Sequence, residues 1–239
     1  MRPLLLSALV LVAALPAASA RLKPAALHVP AELAASERVP VKGRQGWKLL
    51  ERLEFGETRV GEVNRSLTKG SDLGLLGLYA GSRRRQSYGF TVTDGAASPW
   101  RGAAATNLRR RALEVDGFSV AFREKTGFTA RVAPVDAPEQ EWTLEMQQRW
   151  DGPLAGALRR GAREFAVRSS NRLAGTPLRY GDVAGYLVED AGRPVAAVEV
   201  LGDGAVWFAS DLSPADRAPV VAAVAALLLL EELRPTLPD

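Results

Sequence analysis

From residue 47 onward the chain alternates apolar and polar positions with a period of two, interrupted at short intervals by glycine-containing turns. Period two is the pattern of half-buried β-strands. It runs through residues 47–55 and 57–66, which Gly56 separates. It returns at 86–93 (QSYGFTVT), which ends at the turn pair Asp94-Gly95, and at 113–115 (LEV), which runs into Asp116-Gly117. Residues 118–123 and 128–132 alternate on either side of Gly127, where a turn is expected. Residues 142–150 (WTLEMQQRW) fit either a strand or a helix, and 164–168 alternate again.

The C-terminal part carries the plainest signal. Residues 186–189, 195–200 and 205–209 are three strands joined by Asp190-Ala191-Gly192 and Gly202-Asp203-Gly204, an antiparallel meander. The last two are apolar on both faces, with only Glu199 intervening, so they need cover on both sides. The next segment can supply it. Ser213-Pro214-Ala215-Asp216 is a helix start, with a hydroxyl N-cap, proline in the first turn and an acid beside it. Residues 218–230 then contain no polar side chain, and Glu231, Glu232 and Arg234-Pro235 end the run. A helix apolar all round belongs in a core or in lipid. Thirteen residues rise about 20 Å, short of the roughly 30 Å of a bilayer core. The expectation is therefore a mainly β fold. An antiparallel, barrel-like sheet of about 10–12 strands packs around or against one apolar helix at about 214–233, and membrane insertion of that helix is the alternative.

The N-terminus adds an address. Arg2, an apolar stretch from Leu4 to Leu15, Pro16 and the small residues Ala18-Ser19-Ala20 have the layout of a cleavable signal peptide over residues 1–20. Residues 21–45, punctuated by Pro24, Pro30 and Pro40, read as a leader or linker, and 46–239 as one domain. An exported, periplasmic or secreted protein is expected, with no spanning segment left after cleavage. Removing residues 1–20 takes one of 31 basic residues and none of 27 acids, so the charge falls only from +4. That is too weak for nucleic acid to be the expected partner. The chain has no cysteine, which excludes thiolate nucleophiles, redox pairs and a lipid-modified N-terminal cysteine.

The stretch 184–233, a strand meander, an Asp211-Leu212 link and an apolar helix, resembles the closing section of the tubby-like superfamily, which includes phospholipid scramblases and the plant LURP-type proteins. That resemblance implies a barrel of strands wrapped around a central hydrophobic helix, and a tendency to bind lipid or protein. It implies no substrate.

The inventory of reactive groups is short. His28 is the only histidine, so multi-histidine metal sites are excluded and a Ser-His-Asp triad would have to recruit a residue of the leader. No phosphate loop or metalloprotease motif occurs, and no cofactor or metal is expected. Glu189/Asp190 and Glu231/Glu232 are adjacent acids, and a carboxylate-dependent hydrolase stays open as the alternative function. The most visible polar feature is arginine: Arg83, Arg84 and Arg85; Arg109, Arg110 and Arg111; Arg159, Arg160 and Arg163. Three consecutive arginines inside a strand would turn one inward, so each cluster is expected in a loop or at a strand end. If they converge, they form a patch for anionic lipid headgroups or an envelope protein; scattered, they are solvent-exposed charge. Trp100, Trp142 and Trp150 are candidates to rim such a patch, or to fill the core. The reading is an exported, non-catalytic binding or cell-envelope module.

Overall fold

A computed structural model describes residues 25–44, 52–66, 69–75, 79–115, 118–148 and 152–230. Residues 1–20, which the sequence reads as a signal peptide, together with Trp150 and Glu231/Glu232, lie outside the described residues. The chain is mainly β, as the alternation predicts. Thirteen strands form one antiparallel sheet: β1 (Val39–Pro40), β2 (Leu53–Phe55), β3 (Thr58–Arg65), β4 (Lys69–Leu75), β5 (Tyr79–Asp94), β6 (Trp100–Val115), β7 (Phe118–Pro134), β8 (Trp142–Gln148), β9 (Leu154–Arg160), β10 (Arg163–Ser170), β11 (Gly185–Asp190), β12 (Arg193–Glu199) and β13 (Ala205–Phe208). Among the described residues two α-helices accompany it, α1 (Ala31–Ala34) and α2 (Pro214–Leu229).

The sheet runs β1-β13-β12-β11-β10-β9-β8-β7-β6-β5-β3-β2, with β4 also paired to β5. Its two ends nearly meet. Just past β1, Lys42 forms a bridge with Glu54 of β2, and the two residues exchange backbone hydrogen bonds of 2.8 and 3.1 Å. A nearly closed barrel results. Gly43 sits at this seam with φ +86°, and a Cβ there would overlap the carbonyl oxygen of Arg52.

About eight strands are as many as side chains alone can fill, so a ring of twelve leaves a lumen. Helix α2 fills it; a helix with its side chains is about 10 Å across. Every residue from Pro219 to Leu229 is buried, which explains why no polar face survives in that stretch. The interior positions of the strands pack around it, among them Phe90, Phe128, Leu144, Met146, Leu158 and Phe165. Burial is worth about 1.5–3 kcal/mol for each large aliphatic side chain, so Leu227, Leu228 and Leu229 alone supply several kcal/mol.

Both ends of α2 are tied to the barrel. At the N-terminus the Ser213 hydroxyl accepts from the Asp216 amide at 3.1 Å, the cap read from the sequence. Arg163 on β10 donates to both carboxylate oxygens of Asp190 (2.7 and 2.8 Å) and to Asp216 (3.1 Å). Arg217 donates to Asp94 at 3.1 Å. At the C-terminus three helix carbonyls accept from side chains: Ala226 from the Tyr88 hydroxyl (2.6 Å), Leu228 from Arg44 (3.2 Å) and Leu229 from Arg65 (2.9 Å). The last carbonyls of a helix have no partner within it and carry the negative end of its dipole, so two guanidinium groups there are well placed.

The meander β11-β12-β13 is covered on both faces, as its sequence requires. Helix α2 covers the inner face and α1 lies against β12. Residues 25–44, read from the sequence as leader, thus pack as part of the body. Leu27, Leu33 and Val41 are buried, and β1 pairs with β13. Glu199, the lone polar interruption in β12, is the clasp: it is 3 % exposed and accepts from the Leu27 amide at 2.6 Å and from Arg38 at 3.0 Å. One turn expectation is overturned. Strand β7 passes straight through Gly127, which pairs with both Asn107 and Gln147.

Candidate functional site

The long strands β5, β6 and β7 outrun their neighbours. The pairing of β3 with β5 ends at Tyr88, and that of β8 with β7 begins at Gly127. Beyond those points, residues 69–75, 79–87, 105–115 and 118–126 continue as a four-stranded antiparallel extension of β4-β5-β6-β7. On β5 the helix N-terminus meets Asp94, through Arg217, and the C-terminal part meets Tyr88. The extension therefore lies past the C-terminal end of α2.

Two of the three arginine clusters sit here, in the middle of long strands. This corrects the expectation of loops or strand ends for Arg83–Arg85 and Arg109–Arg111. The reason is the length of the strands. An inward position is costly for arginine only where the sheet wraps the helix, and Leu108 is the last buried position described on β6 before the cluster begins.

Register brings the clusters together. Across β4-β5-β6-β7, one row is Lys69, Arg85, Asn107 and Gly127; two residues on it is Ser71, Arg83, Arg109 and Lys125; two further, Leu73, Gly81, Arg111 and Arg123. Rows two residues apart share a face. It is the outer face, since Arg85 is exposed and the intervening Thr106 and Leu108 positions are buried. Within the extension there are nine basic residues against Asp72, Glu114 and Glu124, an excess of six positive charges. The whole chain carries only +4, so the remainder is net acidic. Arg83 and Arg109, and Arg109 and Lys125, are cross-strand partners in register, and like-charged residues at such positions destabilise a sheet.

The third cluster is elsewhere and engaged. Arg159 and Arg160 end β9 and Arg163 starts β10, at the hairpin beside the N-terminus of α2. Arg159 pairs with Glu164 at 2.8 Å, Arg160 lies over the Trp142 ring at 5.4 Å, and Arg163 holds Asp190 and Asp216. These contacts lower the carboxyl pKa values of Glu164, Asp190 and Asp216, each chiefly through the hydrogen bond from its arginine. Trp142 is buried against Phe165, with ring centroids 5.8 Å apart, and Trp100 is half-buried at the core's edge, so neither rims the basic rows.

A groove of about 840 Å³ lies on the outer face of β5-β6-β7 nearer the body. Gly89, Ala103, Ala133, Arg101, Arg131, Glu62 and Glu141 are among the residues that line it. Glu62 has φ +52°, in the left-handed region that a non-glycine residue rarely occupies, at the register shift of β3. It accepts from the Thr91 hydroxyl, and Glu141 lies 3.8 Å from Arg131. Sequence reasoning did not single out this groove, because its residues are scattered over four strands. His28 lines a small separate cavity of about 160 Å³ with Arg172 and Arg179. Among the described residues no cluster of acids and histidine fits a metal ion, and no helix is long and apolar enough to cross a membrane. No family model, curated protein or solved structure matches the chain.

Proposed function

We propose that this chain is an exported, non-catalytic module that binds anionic membrane surfaces through the outer face of the β4-β5-β6-β7 extension. The observation that carries the reading is the register of Arg83, Arg85, Arg109, Arg111, Arg123, Lys69 and Lys125 in three successive rows. Like charges directly opposite one another cost stability, so a multivalent anion laid over them relieves repulsion as well as forming new contacts. Arginine favours phosphate through paired N–H donors. Each basic residue near an anionic leaflet is worth about 1 kcal/mol, so seven supply a usable affinity without a deep pocket. The exported address comes from the layout of residues 1–20, and the tubby-like resemblance of residues 184–233 is part of the same proposal.

The test is vesicle co-sedimentation of the chain lacking residues 1–20. Binding to phosphatidylglycerol-rich vesicles at low salt is expected, with progressive loss as salt rises and none to purely phosphatidylcholine vesicles. Equal binding to both kinds of vesicle, or to neither, would refute the proposal.

A further inference from the structure

Past the basic rows the extension changes character. The row after Leu73, Gly81, Arg111 and Arg123 is Gly74, Ala80, Ala112 and Ala121, and the one after that is Leu75, Tyr79, Leu113 and Val120. The final described pair is Val115 and Phe118. On the face that carries Arg83, Arg109 and Arg111, register thus places a basic band first and, among the described residues, apolar positions beyond it. Among the described residues of this end the one acid is Glu114, which is paired with Ser119 on the opposite face, and Asp116-Gly117, outside the described residues, joins the two strands.

We infer that the apolar end of the β4-β5-β6-β7 extension enters the hydrocarbon edge of the bilayer while the arginine rows stay at the headgroups. The inference rests on the proposed binding of an anionic membrane surface and adds depth and orientation to it. The spacing supports it. At about 3.3 Å per residue, the Leu75, Tyr79, Leu113 and Val120 row lies about 7 Å past the Arg111 row, and the Val115 and Phe118 pair about 13 Å past it. Interfacial elements bury their apolar face roughly 5–10 Å into the headgroup and acyl boundary. A strand needs about 9–11 residues to span a bilayer, so this end dips in and does not cross. Tyrosine, here Tyr79, is a residue enriched at that depth.

Two other occupants fit less well. An acidic protein would match the arginines but leave the apolar rows without a role. A second copy would bring two extensions, each with an excess of six positive charges, against one another.

The chain has no cysteine, so a single one can carry a probe. Leu113→Cys and, as a control on the body, exposed Ser210→Cys are each labelled with an environment-sensitive fluorophore and mixed with phosphatidylglycerol-rich vesicles, circular dichroism first verifying an unchanged fold. The expected result is a severalfold rise and blue shift of emission at position 113, quenched by shallow lipid-borne quenchers, with no change at 210. Salt-sensitive binding with position 113 still in water would overturn the insertion and leave the surface-binding reading standing. No binding at any salt would remove both. As a second readout, Leu113→Glu with Val120→Glu is expected to weaken vesicle binding severalfold at moderate salt; unchanged affinity also overturns the insertion.

Discussion

Replacing Glu199 by alanine removes the clasp that holds residues 25–44 to the sheet. The residue is 3 % exposed, and its carboxylate accepts from the Leu27 amide at 2.6 Å and from Arg38 at 3.0 Å. The Leu27 amide is buried, and leaving such a donor without an acceptor costs about 1–3 kcal/mol. The Arg38 side chain is 53 % exposed, so its ion pair adds only about 0–1 kcal/mol. The expected loss is about 2–3 kcal/mol, or a fall in Tm of about 5–10 °C for a chain of this size. Glu199→Gln keeps an acceptor and should lose only about 1 kcal/mol. The assay is urea unfolding followed by circular dichroism, with thermal melts alongside. A Glu199→Ala change within about 0.5 kcal/mol of the parent, the range of ordinary surface substitutions, would refute the clasp.

Other perturbations test other parts. A Cβ on Gly102 would collide with the buried Phe90 ring, so Gly102→Ala should cost about 1–3 kcal/mol, and Phe90→Leu in the same chain should recover part of that; purely additive losses would contradict the packing. Asp190 and Asp216 have pKa values lowered first by hydrogen bonds from Arg163, so their contribution is full above the unfolded aspartate pKa of about 3.9 and is lost as pH falls through the lower folded values. The stability gap between parent and Arg163→Met should then be widest near neutral pH and narrow below about pH 4, whereas a gap constant with pH would contradict the linkage. Screening the apposed arginines of the extension should raise the parent's Tm with added salt, and more steeply than in Arg83→Gln with Arg109→Gln; identical salt slopes in differential scanning fluorimetry would contradict it.

The apolar run of residues 218–230 and the meander before it were legible because their patterns are local: a helix without a polar face and strands apolar on both faces each demand cover, and they cover one another. The alternation in β10 is equally readable, whereas residues 142–150 fit a helix as well as the strand β8 that 142–148 form. Residues 25–44 were not, because their hold on the sheet runs through contacts such as Leu27 with Glu199, 172 positions apart, and a proline-punctuated stretch shows no periodicity of its own. Gly127 reads as a turn by the rule that glycine punctuates strands, but partner strands on both sides carry β7 through it. The arginine clusters were visible as residues, and their placement was missed. The burial argument assumes that every strand wraps the core, and it fails where β5, β6 and β7 run past it. That Arg83 faces Arg109 is a matter of register, which a hairpin far from any diagnostic turn does not announce.

The most direct test of the central claim compares two charge-neutralised variants on phosphatidylglycerol-rich vesicles. One carries Arg83, Arg85, Arg109 and Arg111→Gln in the extension; the other carries Arg159 and Arg160→Gln at the β9-β10 hairpin, where the charges are already engaged by Glu164, Gln140 and Trp142. At about 1 kcal/mol per basic residue, the first should bind roughly a hundred- to a thousandfold more weakly than the parent, and the second within a fewfold of it. Parent-like affinity in the first variant, or an equal loss in both, would contradict the assignment of membrane binding to the extension.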